Sequence, residues 1–451
     1  TPGEGEVYAF AISRGKITDR FDVKHMWFKH YVLEKNVKKI KLGSLCNEEP
    51  CYGVSGTAIP RTEEEQPKYI RITDFDDFGI ESTHEYMTVE SYTDKHLLQK
   101  GDILFARTGG TVGKTYYYDG SIGTAVFAGY CIRFRFDKNK VLPKFVYWNT
   151  KTSGYKTWVK GIQRPSGQPN INKEEYKAFE ISVPDMDVQV KLASSMDTAL
   201  SRRLKKREQA ERILKDFEYQ VSQQCNFNEY NPKRLCFAIK YSQLDGVIDA
   251  KRYSAYKSDT AALRVSDICD VLDCKVNVAK YGKEVIDWIR IDDLVNQPLD
   301  ISEVRTQSAS AVEGSFFEVK ENDILVARLG PTILNQKIVM VRSLKRTTIA
   351  SSEFLVLRCK EGYNPEAVMA VLKTKYYCEL MYAHARGSTP SRYRLNREDM
   401  QKLPFPDIKE YQIELAKSAN EVRQRVKAMR VQAEEEWQIA KVQFEKELLG
   451  E

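Results

Sequence analysis

Short apolar runs separated by polar turns make up most of the chain. The runs Ile103–Ala106 and Ile324–Ala327 are entered through Gly-Asp and Asn-Asp turn signals, and they predict short buried strands. Lys144–Thr150 and Pro365–Lys373 predict short helices. The globular parts are therefore expected to be mixed α+β, with many short strands and loops.

Two long segments carry a different pattern, typical of packed helices. About forty residues after Pro184 contain no Gly or Pro and place apolar residues in steps of three and four, a seam that Arg203 and Arg207 interrupt. Forty helical residues would span roughly 60 Å. The two seams consist of Ala193, Met196, Leu200, Arg203, Arg207, Ala210, Leu214, Phe217 and Val221, and of Leu415, Ala419, Val422, Val426, Met429, Ala433, Trp437 and Ala440. We expect the two helices to pack antiparallel as a coiled-coil-like spacer that holds two domains a fixed distance apart; the alternative is that each helix only caps its own domain.

The chain repeats itself at an offset of about 220 residues. Four strings recur in the same order, and this points to two copies of one module with the same task at two places. The matches join Phe21–His25 to Ile248–Arg252, Tyr69–Asp74 to Trp288–Asp293, Gly101–Arg107 to Asn322–Arg328, and Ile181–Asp185 to Leu403–Asp407. The predicted organisation is a first globular domain at 1–184, a central helix at 185–225, a second globular domain at 226–406 and a C-terminal helix at 407–451.

Composition changes this picture little. Hydrophobic residues at 42% and charged residues at 29% suit a folded chain of 451 residues in two domains, and the net charge of +7 is only mildly basic. The longest apolar stretch, Ile122–Ile132, is too short to cross a membrane and is broken by glycines. Nine cysteines without an even framework of close spacings favour free thiols in a reducing cytoplasm.

Three apparent catalytic or metal motifs do not hold. The segment Gly109–Thr115 resembles a phosphate loop but is one residue short, and it continues into a strand-like Tyr116–Tyr118. Asn231–Arg234 lacks the second proline and the aromatic residue of an adenine methyltransferase loop. Cys46 with Cys51 and Cys269 with Cys274 could supply four thiols for zinc, but the spacing is wide and no histidine joins them, so buried free thiols are preferred.

Loops rich in Arg, Ser, Gln and Pro stand at equivalent places in the two copies. Specific reading of DNA needs donors and acceptors on such loops, with Lys and Arg near phosphates. The candidates in the first copy are Arg61, Lys68, Arg71, Arg107, Lys114, Tyr116, Lys160, Gln163, Arg164, Ser166, Gln168 and Asn170. Those in the second copy are Lys275, Lys283, Arg290, Arg328, Gln336, Lys337, Arg386, Ser388, Thr389, Ser391, Arg392, Tyr393 and Arg394. Arg71 and Arg290 lie inside predicted strands, and for them a structural role is as well supported as a DNA contact. For the loops, the alternative to a DNA contact is a solvated connection between elements.

The chain resembles the specificity subunit of type I restriction-modification systems over nearly its whole length. Gly101–Lys114 carries the closest likeness, followed by Gln168–Asn172 leading into Ile181–Pro184. In the second copy Leu329–Thr332 replaces Thr108–Thr111, as expected if the two domains read different half-sites.

This resemblance implies a non-catalytic subunit that reads a split double-stranded DNA target, one half per domain. It implies no cofactor of the chain's own: S-adenosylmethionine would sit on two modification (methyltransferase) subunits clamped around the helices, and ATP and Mg on restriction (translocase) subunits that can join them. One alternative is the recognition half of a larger single-chain restriction or modification enzyme. Another, from a different class, is an RNA-binding or scaffold protein.

Overall fold

The computed structural model describes residues 39–80, 84–162, 169–227, 263–272, 275–294, 300–301, 305–312, 314 and 316–449. The chain forms two compact units. The first ends at Lys205 and also takes in the chain from Gln432 onward, and the second covers Lys206–Val431. Among the described residues, no helix combines the length and the apolarity that a membrane crossing requires.

In its described residues, the first unit contains two four-stranded sheets and a two-stranded one. Its sheet orders are β2-β9-β6-β7, β3-β5-β4-β8 and β1-β10. The strands are β1 Lys39–Lys41, β2 Cys51–Tyr52, β3 Ala58–Pro60, β4 Lys68–Ile70, β5 Met87–Val89, β6 Ile103–Ala106, β7 Thr115–Tyr117, β8 Ala125–Phe127, β9 Cys131–Phe134 and β10 Glu180–Ser182. The helices are α1 Pro143–Asn149, α2 Ser153–Ile162, α3 Lys173–Lys177 and the long α4 Met186–Gln224, which continues into the second unit.

Strand β6 is the centre of the first unit. All four of its residues are fully buried, because β6 pairs antiparallel with β9 on one side and β7 on the other. Burying such side chains stabilises the fold by roughly 1.5–3 kcal/mol each. The strand is entered through Gly101, whose φ of 105° suits glycine, and through Asp102, whose buried carboxylate accepts hydrogen bonds from the Arg135 guanidinium at 2.8 Å.

The part of the second unit that the structure describes has two five-stranded sheets and one two-stranded sheet. Their orders are β12-β21-β18-β19-β15, β13-β17-β20-β14-β16 and β11-β22. The strands are β11 Leu263–Arg264, β12 Cys269–Leu272, β13 Lys275–Val276, β14 Val285–Ile289, β15 Asp300–Ile301, β16 Arg305–Ser308, β17 Phe316–Glu318, β18 Ile324–Ala327, β19 Ile338–Val341, β20 Thr348–Ser351, β21 Phe354–Cys359 and β22 Pro404–Phe405. The helices are α5 Val265–Ile268, α6 Gly330–Leu334, α7 Pro365–Leu372, α8 Lys375–His384, α9 Arg397–Lys402 and the long α10 Gln412–Leu449.

The two units share several strand pairings, although their sheets differ in the number of strands. Strand β18 lies between β21 and β19 as β6 lies between β9 and β7, and β14 pairs parallel with β20 as β4 pairs with β8. The buried ion pair recurs as well, because Asp323 accepts from the Arg358 guanidinium at 2.8 and 2.7 Å. The predicted α+β fold of two tandem domains, each followed by a long helix, is confirmed.

The long helices run antiparallel within each unit. In the first, Lys191 pairs with Glu447 and Arg203 with Glu434; in the second, Glu211 pairs with Arg430. Several predicted seam residues are buried, namely Ala193, Met196, Ala210, Val221, Leu415, Ala419, Val426, Ala433 and Trp437. The antiparallel coiled-coil-like pairing is therefore confirmed; the fixed separation of the domains remains a prediction.

Arg203, which breaks the apolar seam, has a specific environment in the first unit. Its guanidinium lies 3.7 Å from the centre of the Phe78 ring and donates to the Glu434 carboxylate at 3.0 Å. A buried arginine is tolerated at this position because the ring covers its face while the carboxylate balances its charge.

Candidate nucleic-acid interface

A tight glycine turn follows the central strand of the first unit. Gly109–Thr111 forms one 3-10 turn, and Gly113 has a φ of 86°; a Cβ there would lie 2.6 Å from Val159. Two phenols hold this turn: the Tyr176 hydroxyl donates to Ala106 O at 2.7 Å, and the Tyr155 hydroxyl to Gly113 O at 2.9 Å. Strand β7 follows, and this agrees with the rejection of a phosphate loop, which would open a helix.

A buried lysine supports the strand after the turn in each unit. Lys151 Nζ donates to Thr115 O at 3.1 Å, and Lys373 Nζ donates to Ile338 O at 2.9 Å. Burial lowers the pKa of each ammonium group to about 8. A lysine therefore occupies the equivalent position in both units and supports the backbone beneath the turn.

Arg107 connects three segments at the end of β6. Its Nε lies 3.3 Å from Asn170 Oδ1, its guanidinium lies 4.8 Å from the centre of the Tyr52 ring, and its backbone N–H donates to Tyr130 O at 3.0 Å. Thr108 and Asn170 form an isolated bridge beside it. The structure thus brings together two of the predicted residues, Arg107 and Asn170.

Arg107 lies on the wall of an open groove of about 450 Å³. The groove carries hydroxyl groups, backbone polar groups and one cation, a suitable mixture for contacts with base edges. It is lined by Val54, Ser55, Gly56, Thr57, Tyr69, Arg107, Thr108, Gly129 and Tyr130. Tyr130 is 62% exposed at its rim.

The other candidates of the first unit are dispersed. Arg61 donates to backbone carbonyls of its own loop, Lys68 lies 4.7 Å from the centre of the Tyr86 ring, and Arg71 is held by Asp74 at 2.8 Å. Lys114 is half-buried and Lys160 is exposed at the end of α2. The predicted residues Gln163, Arg164, Ser166 and Gln168 lie outside the described residues.

The structure does not support a DNA contact for Tyr116. Its side chain is only 6% exposed, belongs to a hydrophobic cluster of the first unit and stacks on Phe75 at 5.6 Å. The residue lies on β7 with its ring turned into the core, and alternation along the strand explains this position.

The second unit builds its turn with a short helix, α6, in place of the 3-10 turn. Gly330 N donates to Tyr393 O at 2.7 Å, and Leu329 bridges Arg394, which also bridges Arg386. Arg394 pairs with Glu353 at 3.2 Å, and Arg386 with Asp399 at 2.8 Å. The candidates Ser388, Thr389, Ser391 and Arg392 are exposed on the intervening loop.

The remaining candidates of the second unit lie in varied environments. Lys275 and Lys283 are exposed, whereas Arg328, Lys337 and Tyr393 are half-buried. The Gln336 side chain donates to Glu218 at 3.3 Å. Arg290 lies 5.3 Å from the centre of the Trp288 ring and 3.8 Å from Asp292, so its environment suits a structural role.

The sequence did not single out Tyr52, Tyr130 or Glu353. Tyr130 and Glu353 occupy turns between two buried strands, and a single exposed residue in such a turn produces no periodic signal. Within the part of the chain that the structure describes, no cluster of His, Cys, Asp and Glu could hold a metal ion. Cys46 and Cys51 are half-buried free thiols, Cys269 is a buried one, and Cys274 lies outside the described residues.

Comparison with known proteins finds one family model that matches part of the chain. The type I restriction modification DNA specificity domain matches residues 34–213. No curated protein matches the chain.

Three solved structures with similar chains are distant in sequence. The HsdS subunit from Thermoanaerobacter tengcongensis is 13% identical, covering 94% of this chain and 99% of that one, with a TM-score of 0.35. The type I restriction-modification S subunit from M. genitalium is 12% identical, covering 92% and 97%, with a TM-score of 0.41. A chain from a structure on complex assembly and conformational transition of the type I R-M system is 12% identical, covering 92% and 98%, at 0.44. These three TM-scores lie below 0.5. The function proposed below therefore rests on the matched domain and on the internal repeat.

Proposed function

We propose that this chain, whose residues 34–213 match the type I restriction modification DNA specificity domain, belongs to that family and reads a split duplex target with one half-site per unit. It is the recognition subunit and not the catalytic one. We assign it no cofactor of its own; S-adenosylmethionine, ATP and Mg would belong to partner subunits. The free thiols among the described residues agree with a reducing, cytoplasmic setting.

One observation carries this proposal: both units make the same backbone contacts at the end of the central strand but place different side chains there. In each unit an arginine follows the central strand, and the next residue forms an isolated bridge with a second loop, Thr108 with Asn170 in the first unit and Leu329 with Arg394 in the second. The central strands beneath pair in the same way, whereas the turn that follows the central strand and the side chains that reach solvent differ. Two related frameworks with different exposed groups suit a target whose two halves differ in sequence.

The most direct test is selection of binding sites by the purified chain from a randomised duplex library. We expect two short defined sequences at a fixed gap, and much weaker binding to RNA of the same sequence. A continuous motif, no motif, or equal binding to RNA would contradict the proposal; the last would favour the RNA-binding alternative.

Arg107 offers a sharper version of the same test. Replacing Arg107 with Ala removes a cation beside the groove and should weaken binding and reduce its salt dependence. The matched control is Lys138→Ala, because Lys138 is exposed beyond the opposite end of β9. Equal losses in the two variants would show that the groove has no special part in binding.

We further propose that two modification subunits dock on the long helices. Both helices keep large apolar side chains in solvent: in the first unit Val190, Ile439 and Val442 are 50%, 68% and 53% exposed. In the second, Tyr219 and Ile413 are 66% and 71% exposed. Apolar groups on a polar helix surface are typical of an interface with a partner.

Co-purification with the cognate modification subunit tests this docking. Ile439→Asp should reduce the amount of subunit recovered and leave DNA binding unchanged. Gln424→Asp, an exposed polar position on the same helix, is the control. Undiminished assembly of the Ile439→Asp variant would contradict docking at this surface.

A further inference from the structure

We propose that Tyr130 and Glu353 are equivalent specificity-determining residues, each selecting one base of its half-site. This inference rests on the proposed function, since it names the groups that read the DNA. Neither residue stood out in the sequence.

The equivalence of the two positions is structural. The Arg107 N–H donates to Tyr130 O at 3.0 Å, and the Arg328 N–H donates to Glu353 O at 3.0 Å. Each residue directly precedes the strand that pairs with the central strand, with Cys131 opposite Ala106 and Phe354 opposite Ala327. The backbone therefore presents one side chain from the same point in both units.

In the first unit the presented group is an aromatic ring. Tyr130 is 62% exposed, and its hydroxyl has no hydrogen-bond partner among the described residues. Beside it the groove offers the Ser55 and Thr57 side chains and the Arg107 guanidinium. An apolar ring that stays exposed to water is unfavourable. In the major groove the ring would contact a thymine methyl group, and its hydroxyl would form a hydrogen bond with a base edge.

In the second unit the presented group is a carboxylate. Glu353 is held by Arg394, whose Nε and Nη2 lie 3.2 and 3.3 Å from the two carboxylate oxygens. This pairing fixes the direction of the carboxylate, and each oxygen keeps a lone pair for a further donor. In the major groove, the exocyclic amino group of cytosine donates a hydrogen bond to a carboxylate.

The two positions therefore predict different base preferences. Tyr130 favours thymine in the half-site of the first unit, and Glu353 favours cytosine in the half-site of the second. Glutamine has the same length as glutamate but binds adenine through both the oxygen and the nitrogen of its side-chain amide, so Glu353→Gln is expected to exchange cytosine for adenine. One base contact of this kind corresponds to roughly 5- to 150-fold in preference.

The experiment is site selection from a randomised duplex library by the full-length chain and four variants. Tyr130→Ala should lose the preference at one position of one half, and Glu353→Gln should change one position of the other half. The controls are Tyr92→Ala, an exposed tyrosine outside the groove, and Glu361→Gln, exposed beyond the other end of β21. Both should return the wild-type motif, and equal melting temperatures exclude misfolding because all four side chains are partly or largely exposed.

The outcomes separate this inference from the proposed function. If the wild-type chain selects no split motif, the proposed function fails. If the wild type selects a split motif and a variant keeps the same base preference, the assignment is overturned for that unit. Loss of affinity with an unchanged motif would also overturn it, because such a change indicates a phosphate contact.

Discussion

The end of the C-terminal helix completes the core of the first unit, and Trp437 is the residue at which this is tested most sharply. Trp437 is 4% exposed, and its ring lies 5.8 Å from that of Trp148 and 5.9 Å from that of Phe78. Nearby, the Ser153 N–H and hydroxyl both donate to the Glu445 carboxylate at 2.6 Å, so this helix also caps α2. The first unit should therefore depend on residues near the opposite end of the chain.

Replacing Trp437 with Ala leaves a large void between two aromatic rings. Truncation of a buried tryptophan costs about 3–5 kcal/mol, which lowers the ratio of folded to unfolded molecules by roughly two to nearly four orders of magnitude. The control is Ile439→Ala on the same helix, where the side chain is 68% exposed and the expected cost is within ~0.5 kcal/mol. Both variants introduce alanine into one helix, so their difference reports packing.

Urea unfolding followed by circular dichroism measures the loss, and hydrogen exchange with mass spectrometry locates it. We expect Trp437→Ala to speed exchange in α1 and α2 and to leave α7 and α8 unchanged. A free energy of unfolding within about 1 kcal/mol of the Ile439→Ala control would refute the reasoning, because a void of this kind cannot be that cheap. Faster exchange in the second unit alone would refute it as well.

Three further predictions concern the scaffold beneath the first reading surface. Burial lowers the pKa of Lys151 to about 8, so between pH 8 and 10 the unfolded chain holds a proton that the folded chain has released. The free energy of unfolding should therefore rise with pH in this window, by up to ~1.4 kcal/mol per pH unit, and Lys151→Met should flatten the rise in urea-unfolding midpoints; an equal slope in the variant would contradict it. Asp102→Ala should cost about 3–5 kcal/mol in thermal or urea unfolding, because Arg135 loses its buried partner, and a cost below 1 kcal/mol would argue against this ion pair. Gly113→Ala should displace the turn, since the new Cβ meets Val159 at 2.6 Å, and should weaken DNA binding in a fluorescence-anisotropy titration more than Gly110→Ala, where space is open.

The main architecture could be predicted from the sequence because its signals are periodic or repeated. The recurrence of Gly101–Arg107 as Asn322–Arg328 marks the same central strand in both units, and the glycines after the first copy mark a turn that only glycine allows at position 113. The steps of three and four after Pro184 identify the helix seam, including the place where Arg203 interrupts it.

The reading surface could be predicted only in part. Arg107 and Asn170 lie 63 residues apart and meet only through folding, so their proximity is visible in the structure and not in the pattern. Tyr116 is of a residue type that can contact DNA, but its position on β7 places its ring in the core. Lys151 would be placed on the surface by its residue type, yet it is 3% exposed, because a strand carbonyl and the nearby Asp77 compensate for part of its desolvation.

Methylome sequencing of a host that expresses this chain with its cognate modification subunit tests the central claim most directly. We predict new methylation at a split motif, with two short defined halves separated by a fixed gap. Methylation at a continuous motif, or none although the two subunits assemble, would contradict the assignment of one half-site to each unit.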